Sequence, residues 1–108
     1  MDSLSEKHCT KPKETDMPLQ REKAKEFAAK VPTWTLEVKK ISRRFQFDDF
    51  EKAMEFANKV AAIAKEQDHH PNIHISYNKV MLELSTHKIG GLHKNDFILA
   101  AKIDKILN

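Results

Sequence analysis

With 108 residues, 40% of them apolar and 32% charged, the chain has the mix of one globular domain rather than of a disordered or collagen-like polymer. Its net charge is only +3, and no apolar run approaches the ~18 residues of a membrane span. A single cysteine, Cys9, excludes an internal disulfide framework and a cysteine-based zinc site, and it fits a reducing compartment such as the cytoplasm.

Residues 1–16 are polar and without period. They read as a flexible tail ahead of a single domain spanning 17–108, and they lack the apolar stretch of a secretory leader. Asp16 offers a helix N-cap and Pro18 suits a first turn, so LQREKAKEFAAK is expected to be helical until Pro32 stops it. WTLEV alternates, with Trp34, Leu36 and Val38 on one face. ISRRFQF alternates as well, with Ile41, Arg43, Phe45 and Phe47 together. Joined at Lys39 and Lys40, the two runs predict an antiparallel pair. The basic stretch EVKKISRR has no aromatic stacking platform beside it, so it reads as a solvated strand face and not as a nucleic-acid surface.

Asp48 and Glu51 have capping-box spacing at the start of a second helix. Phe50, Ala53, Met54, Ala57, Val60, Ala61 and Ala64 recur along it at helical spacing, a core face. Pro71 forbids continuation and biases His70 toward extended geometry. IHISY then alternates with Ile73, Ile75 and Tyr77 inward, and VMLELST with Val80, Leu82 and Leu84 inward. Asn78 and Lys79 between them predict a two-residue turn. Gly90 and Gly91 mark a loop, and residues 94–107 predict a last amphipathic helix. The fold class that satisfies this order is α+β, a four-stranded antiparallel sheet with helices packed on one face (helix-β-β-helix-β-β-helix).

Five of the six histidines fall between residues 65 and 96. A turn at Asn78 and Lys79 would put His74 opposite Glu83 and bring His70 opposite His87, so that His69, His70 and His87 line one pocket. Acid–base catalysis is the first chemistry such a cluster offers, because imidazole titrates near neutrality. A metal site is the second, ranked lower because adjacent residues of an extended segment point apart. Surface histidines in a loop are the bland alternative. His8, His74 and His93 fit that bland role better. Asp96, at the start of the last helix, suits a capping box and the positive end of the helix dipole, although His93 is a poor N-cap residue.

The pattern HHP, five residues, Tyr77, nine residues, His87, eight residues, Asp96 closely resembles the signature of the pterin-4a-carbinolamine dehydratases. The stretches RRFQFDDFEKAMEFANKVAAIA, YNKV, STH, GGL and LAAKID match in kind, so the resemblance runs from about Trp34 to Ile106. It implies a hydro-lyase that converts 4a-hydroxytetrahydrobiopterin to quinonoid dihydrobiopterin and water, recycling the pterin of aromatic amino-acid hydroxylases. It implies His69, His70 and His87 as catalytic histidines. His69 and His87 would move protons and His70 would position the pterin. Ser85 and Thr86 would bind the pterin ring through their backbone, and Asp96 would orient a histidine or stand at the pocket rim. No metal or organic cofactor is implied. The implied partners are the pterin, further copies of the chain in a homodimer or homotetramer, and for some members a transcription factor, the alternative binding-module role. Neither nucleic acid nor membrane is an expected direct partner. Lys65 departs from the pattern, since many relatives carry an acid there.

Overall fold

In the computed structural model, residues 4–13 and 15–107 are described. Strict alternation builds the sheet. Strands β1 (Thr35–Leu36), β2 (Ile41–Gln46), β3 (Asn72–Ser76) and β4 (Lys79–Leu84) form one antiparallel sheet in the order β1-β2-β4-β3. On β4, Val80, Leu82 and Leu84 are all fully buried, facing Phe45, Arg43 and Ile41 of β2. The intervening residues Ser42, Arg44, Gln46, Lys79, Met81 and Glu83 occupy the other face, as period-two geometry requires.

Helices α1 (Arg21–Ala28), α2 (Phe50–Gln67) and α3 (Lys94–Ile106) cover the apolar face. From α2 come Ala53, Phe56, Ala57, Val60 and Ala64, and from α3 Phe97, Ile98, Leu99, Ala100 and Ile103. Phe45 of β2 meets Phe56 of α2 with ring centroids 4.6 Å apart, and Phe27 of α1 stacks on Phe97 of α3 at 5.4 Å. One cation sits on this inner face. Arg43 donates to Asp104 Oδ1 at 2.6 Å, and Trp34 Nε1 donates to the same oxygen at 2.8 Å. The guanidinium also lies over the Phe45 ring, 4.5 Å from its centroid. Among the described residues, no helix is long and apolar enough to cross a membrane.

Element boundaries differ from the sequence signals where tertiary contacts intervene. α1 begins at Arg21 and not beside Asp16, because the Leu19 N–H donates to Leu92 O and holds that segment extended. Asp16 instead accepts from the Lys13 N–H. β1 is short because Glu37 N–H donates to Lys40 O, closing a turn that leaves Val38 85% exposed. α2 is capped by Asp49, whose Oδ1 accepts from Lys52 N–H at 2.8 Å, one residue beyond the Asp48 that spacing favours. Phe50 then opens the helix half exposed, and Phe56 supplies the core aromatic.

The hairpin turns at Tyr77 and Asn78, with Ser76 opposite Lys79. Asn78 is fixed from outside the hairpin. Its carbonyl accepts from Phe47 N–H, and its Nδ2 donates to Phe47 O. Tyr77 takes the left-handed conformation (φ 52°) in consequence. Each β3 residue therefore faces a β4 partner two positions from the predicted one, His74 opposite Met81 in place of Glu83. A shift of two preserves the faces, but of Ile73, Ile75 and Tyr77, all expected inward, Ile73 is partly buried, Ile75 is exposed on the edge strand, and Tyr77, drawn into the turn, is 67% exposed.

The leading segment, a tail by its composition, lies against the domain. A short 3-10 turn at Leu4–Glu6 buries Leu4, and Lys102 Nζ donates to Ser5 O. Burial pushes the Cys9 thiol up from 9.0 to about 11, offset in part by Lys102 and reinforced by Asp96.

Two outcomes follow. Asp49→Ala is expected to lower stability by about 1 kcal/mol in urea unfolding, whereas Asp48→Ala stays within ~0.5 kcal/mol of the parent. Alkylation of Cys9 at pH 8 should run about tenfold slower in the folded chain than in the urea-unfolded one, the much smaller thiolate fraction being partly offset by a more nucleophilic thiolate. Because the folded thiol holds its proton more tightly, this group's contribution to stability is intact below pH 9.0 and is lost as pH rises to about 11.

Candidate active site

The end of α2 is built to turn two adjacent histidines in opposite senses. Asp68 closes the helix in the left-handed conformation (φ 52°, ψ 42°). Its N–H donates to Lys65 O and the His69 N–H donates to Ala64 O, the paired bonds of a Schellman closure. The chain reverses there, and Pro71 keeps the next residues extended. His69 is left 8% exposed, while His70 is open to solvent.

Inside, His69 meets Asp96. Its Nε2 lies 2.5 Å from Asp96 Oδ1. Asp96, in the first turn of α3, is fully buried, and its Oδ2 accepts from Thr86 Oγ1 at 3.0 Å and from His93 N–H at 2.9 Å. An accepting carboxylate fixes the tautomer of the ring it faces. Nε2 carries the proton, and Nδ1 is the position left to accept or take up another.

Thr86 comes from the segment after β4. Its N–H donates to Gly91 O, and its carbonyl accepts from Ile89 and Gly91. Gly91 lies so close to Pro18 that a Cβ would come within 2.9 Å of the proline Cβ. His87 opens the 3-10 turn His87–Ile89 and is exposed, and Ser85 is half-buried. Among the described residues, no group of three or more His, Cys, Asp or Glu stands together as a metal site would require.

His69, Thr86 and Asp96 thus form one hydrogen-bonded network. His70 and His87 each follow a member of that network by one residue and carry exposed rings. His70 does not pair with His87 across the hairpin, because β3 pairs with β4 only as far as Asn72 and Glu83. Asp96, expected to orient a histidine or to stand at the pocket rim, is fully buried, with Oδ1 facing His69 and Oδ2 accepting from Thr86 and His93. The Thr86 backbone, expected to bind the pterin ring, is bonded to Gly91 and Ile89.

His93 does cap α3, against expectation for that residue type. Its Nδ1 accepts from Asn95 N–H, while Asp96 accepts from the His93 N–H in return. His74 pairs with Glu83 on the open sheet face. Gln67 and Asn95 are buried polar residues that motif spacing passes over. The signal was present for one of them, since Gln67 continues the apolar stripe of Val60 and Ala64.

The family model for pterin 4 alpha carbinolamine dehydratase matches residues 17–106. The chain belongs to that family. Relatives whose names carry pterin-4-alpha-carbinolamine dehydratase occur in Halorhodospira halophila and Methylococcus capsulatus. Each is 42% identical over 106 residues; the alignment covers 96% of this chain with 97% of the first protein and 93% of the second. A crystal structure of a transcriptional coactivator/pterin dehydratase from Brucella melitensis superposes with a TM-score of 0.79 at 30% identity, covering 84% of this chain and 99% of that one.

Asp96→Ala strands three donors at once, those of His69 and Thr86 on buried residues. It is expected to cost about 3 kcal/mol in chemical denaturation, against about 1 kcal/mol for Thr86→Val, which removes a single donor.

Proposed function

We propose that this family member dehydrates a 4a-hydroxytetrahydropterin to the quinonoid dihydropterin, with histidines as acid and base. The observation that carries the reading is the oriented imidazole of His69, held through Nε2 by a buried carboxylate that Thr86 and His93 fix in turn, with two exposed imidazoles one residue away from its network. In the reaction the bond between ring carbon 4a and its hydroxyl oxygen breaks. An imidazolium gives the departing oxygen its proton, and water leaves. A neutral imidazole takes a proton from a ring nitrogen, whose electrons complete the quinonoid system. One proton is given and one is taken, so the pair resets by exchange and no external reactant is consumed.

In this reading His69, through Nδ1, and His87 move the protons, while His70 holds the heterocycle. The end of β4 supports the choice of a flat ligand. Beyond Glu83 that strand has no β3 neighbour, and Ser85 lies next along the unpaired edge, where backbone groups are available to a planar ring of donors and acceptors. Self-association across an edge strand belongs to the same reading, and β3, with Ile75 partly exposed, is the edge that offers apolar surface.

The second reading is a protein-binding role, favoured by the coactivator description of the Brucella relative. It needs none of the three histidines. The test generates the hydroxypterin with an aromatic amino-acid hydroxylase and follows the quinonoid product by absorbance. His87→Ala is expected to lower kcat by about 10²–10⁴-fold and His70→Ala to lower kcat/KM chiefly through a raised KM, with the fold intact in both, since both residues are exposed. Parent-like rates in both variants would sink the catalytic reading, and partner binding that persists in them would favour the second.

A further inference from the structure

The family match begins at residue 17, yet residues 8–10 touch both helices that carry the His69–Asp96 pair. The Cys9 N–H donates to Gln67 Oε1 at 2.8 Å, and Gln67 Nε2 lies 3.3 Å from His8 Nδ1. The Thr10 N–H donates to Asn95 Oδ1 at 2.9 Å, and Asn95 Nδ2 returns a bond to Thr10 O at 2.6 Å. Cys9 Sγ lies 3.6 Å from Asn95 O.

Gln67 is the last residue of α2, two before His69. Asn95 immediately precedes Asp96 at the start of α3. Both amides are buried, so each needs its partners, and Cys9 and Thr10, which supply them, are consecutive in the chain. Consecutive residues in a trans chain have Cα atoms about 3.8 Å apart. A link of that length, bonded at one end to α2 and at the other to α3, sets the spacing of the two helix ends. His69 and Asp96 are carried on those ends.

We infer that residues 8–10 form a positioning clamp for the His69–Asp96 pair, with Gln67 and Asn95 as its two receptors. The clamp deepens the dehydratase reading and rests on it for its kinetic consequence, but its structural consequence is read separately. It acts through the dyad and does not touch substrate.

Thr10→Pro in the full chain removes the one donor to Asn95 Oδ1 and leaves every residue of the family domain in place. Gln67→Met removes the acceptor at the other receptor at nearly constant volume. Thr10→Ala keeps the N–H and serves as control. The first readout is the downfield proton resonance of His69 Nε2–H, which the carboxylate hydrogen bond produces. The second is kcat against KM. In Thr10→Pro and Gln67→Met the resonance is expected to move upfield or broaden, and kcat to fall about tenfold with KM little changed, as misplacement of a catalytic group predicts. Thr10→Ala should change neither. A resonance that stays in place in both variants overturns the clamp, whatever happens to kcat. A resonance that moves in a parent chain with no dehydratase activity leaves the clamp standing and removes the proposed function.

Discussion

A carboxylate removed from water must find its compensation inside the protein, and Asp96 finds it from three separate parts of the chain. The end of α2 contributes the His69 imidazole, the segment after β4 contributes the Thr86 hydroxyl, and the residue before α3 contributes the His93 N–H. The His93 bond is a local capping-box contact, but the end of α2 has no local reason to approach the other two segments. The shared acceptor supplies the reason, and its cost if left unmet makes the arrangement all-or-none. Helix α3 gains as well, since the same carboxylate lies in its first turn, where negative charge is favoured. One residue therefore caps a helix, joins three segments and orients an imidazole.

The sheet was legible because alternation is a strong signal and both of its faces have distinct environments. Val80, Leu82 and Leu84 could face only the core, and the helix stop at Pro71 admits no alternative. The boundaries were not legible, and each failure has a distant cause. Asp48 and Asp49 are equivalent caps to a local pattern. Register in the hairpin depended on Phe47, which anchors Asn78 from just beyond the end of β2, some thirty residues away in sequence. The start of α1 depended on Leu92. Local pattern fixes the type of an element, whereas long-range hydrogen bonds choose among nearly equal ends.

The candidate site divides in the same way. Residue types and spacing singled out His69, His70 and His87, and capping-box spacing singled out Asp96 in the first turn of α3. The hydrogen bonds that join His69, Thr86 and Asp96 were not available, because they depend on the Thr86 hydroxyl and a Schellman closure and not on the hairpin ladder. Gln67 and Asn95 were missed for a related reason. A buried amide carries no motif, and its significance appears only when its partners are seen to lie some sixty and eighty-five residues away.

Adjacent histidines with opposite fates explain why the pair occurs as a pair. A buried imidazole facing a carboxylate is held in one tautomer and one orientation, whereas an exposed ring is open to a ligand. One ring does not meet both conditions, but two consecutive rings do if the backbone between them is extended and one end is anchored. The left-handed Asp68 anchors the first ring inward, and Pro71 holds the second in extended geometry. His87, one residue beyond Thr86, repeats the arrangement from the other side, an exposed residue that follows one whose hydroxyl donates to the buried carboxylate.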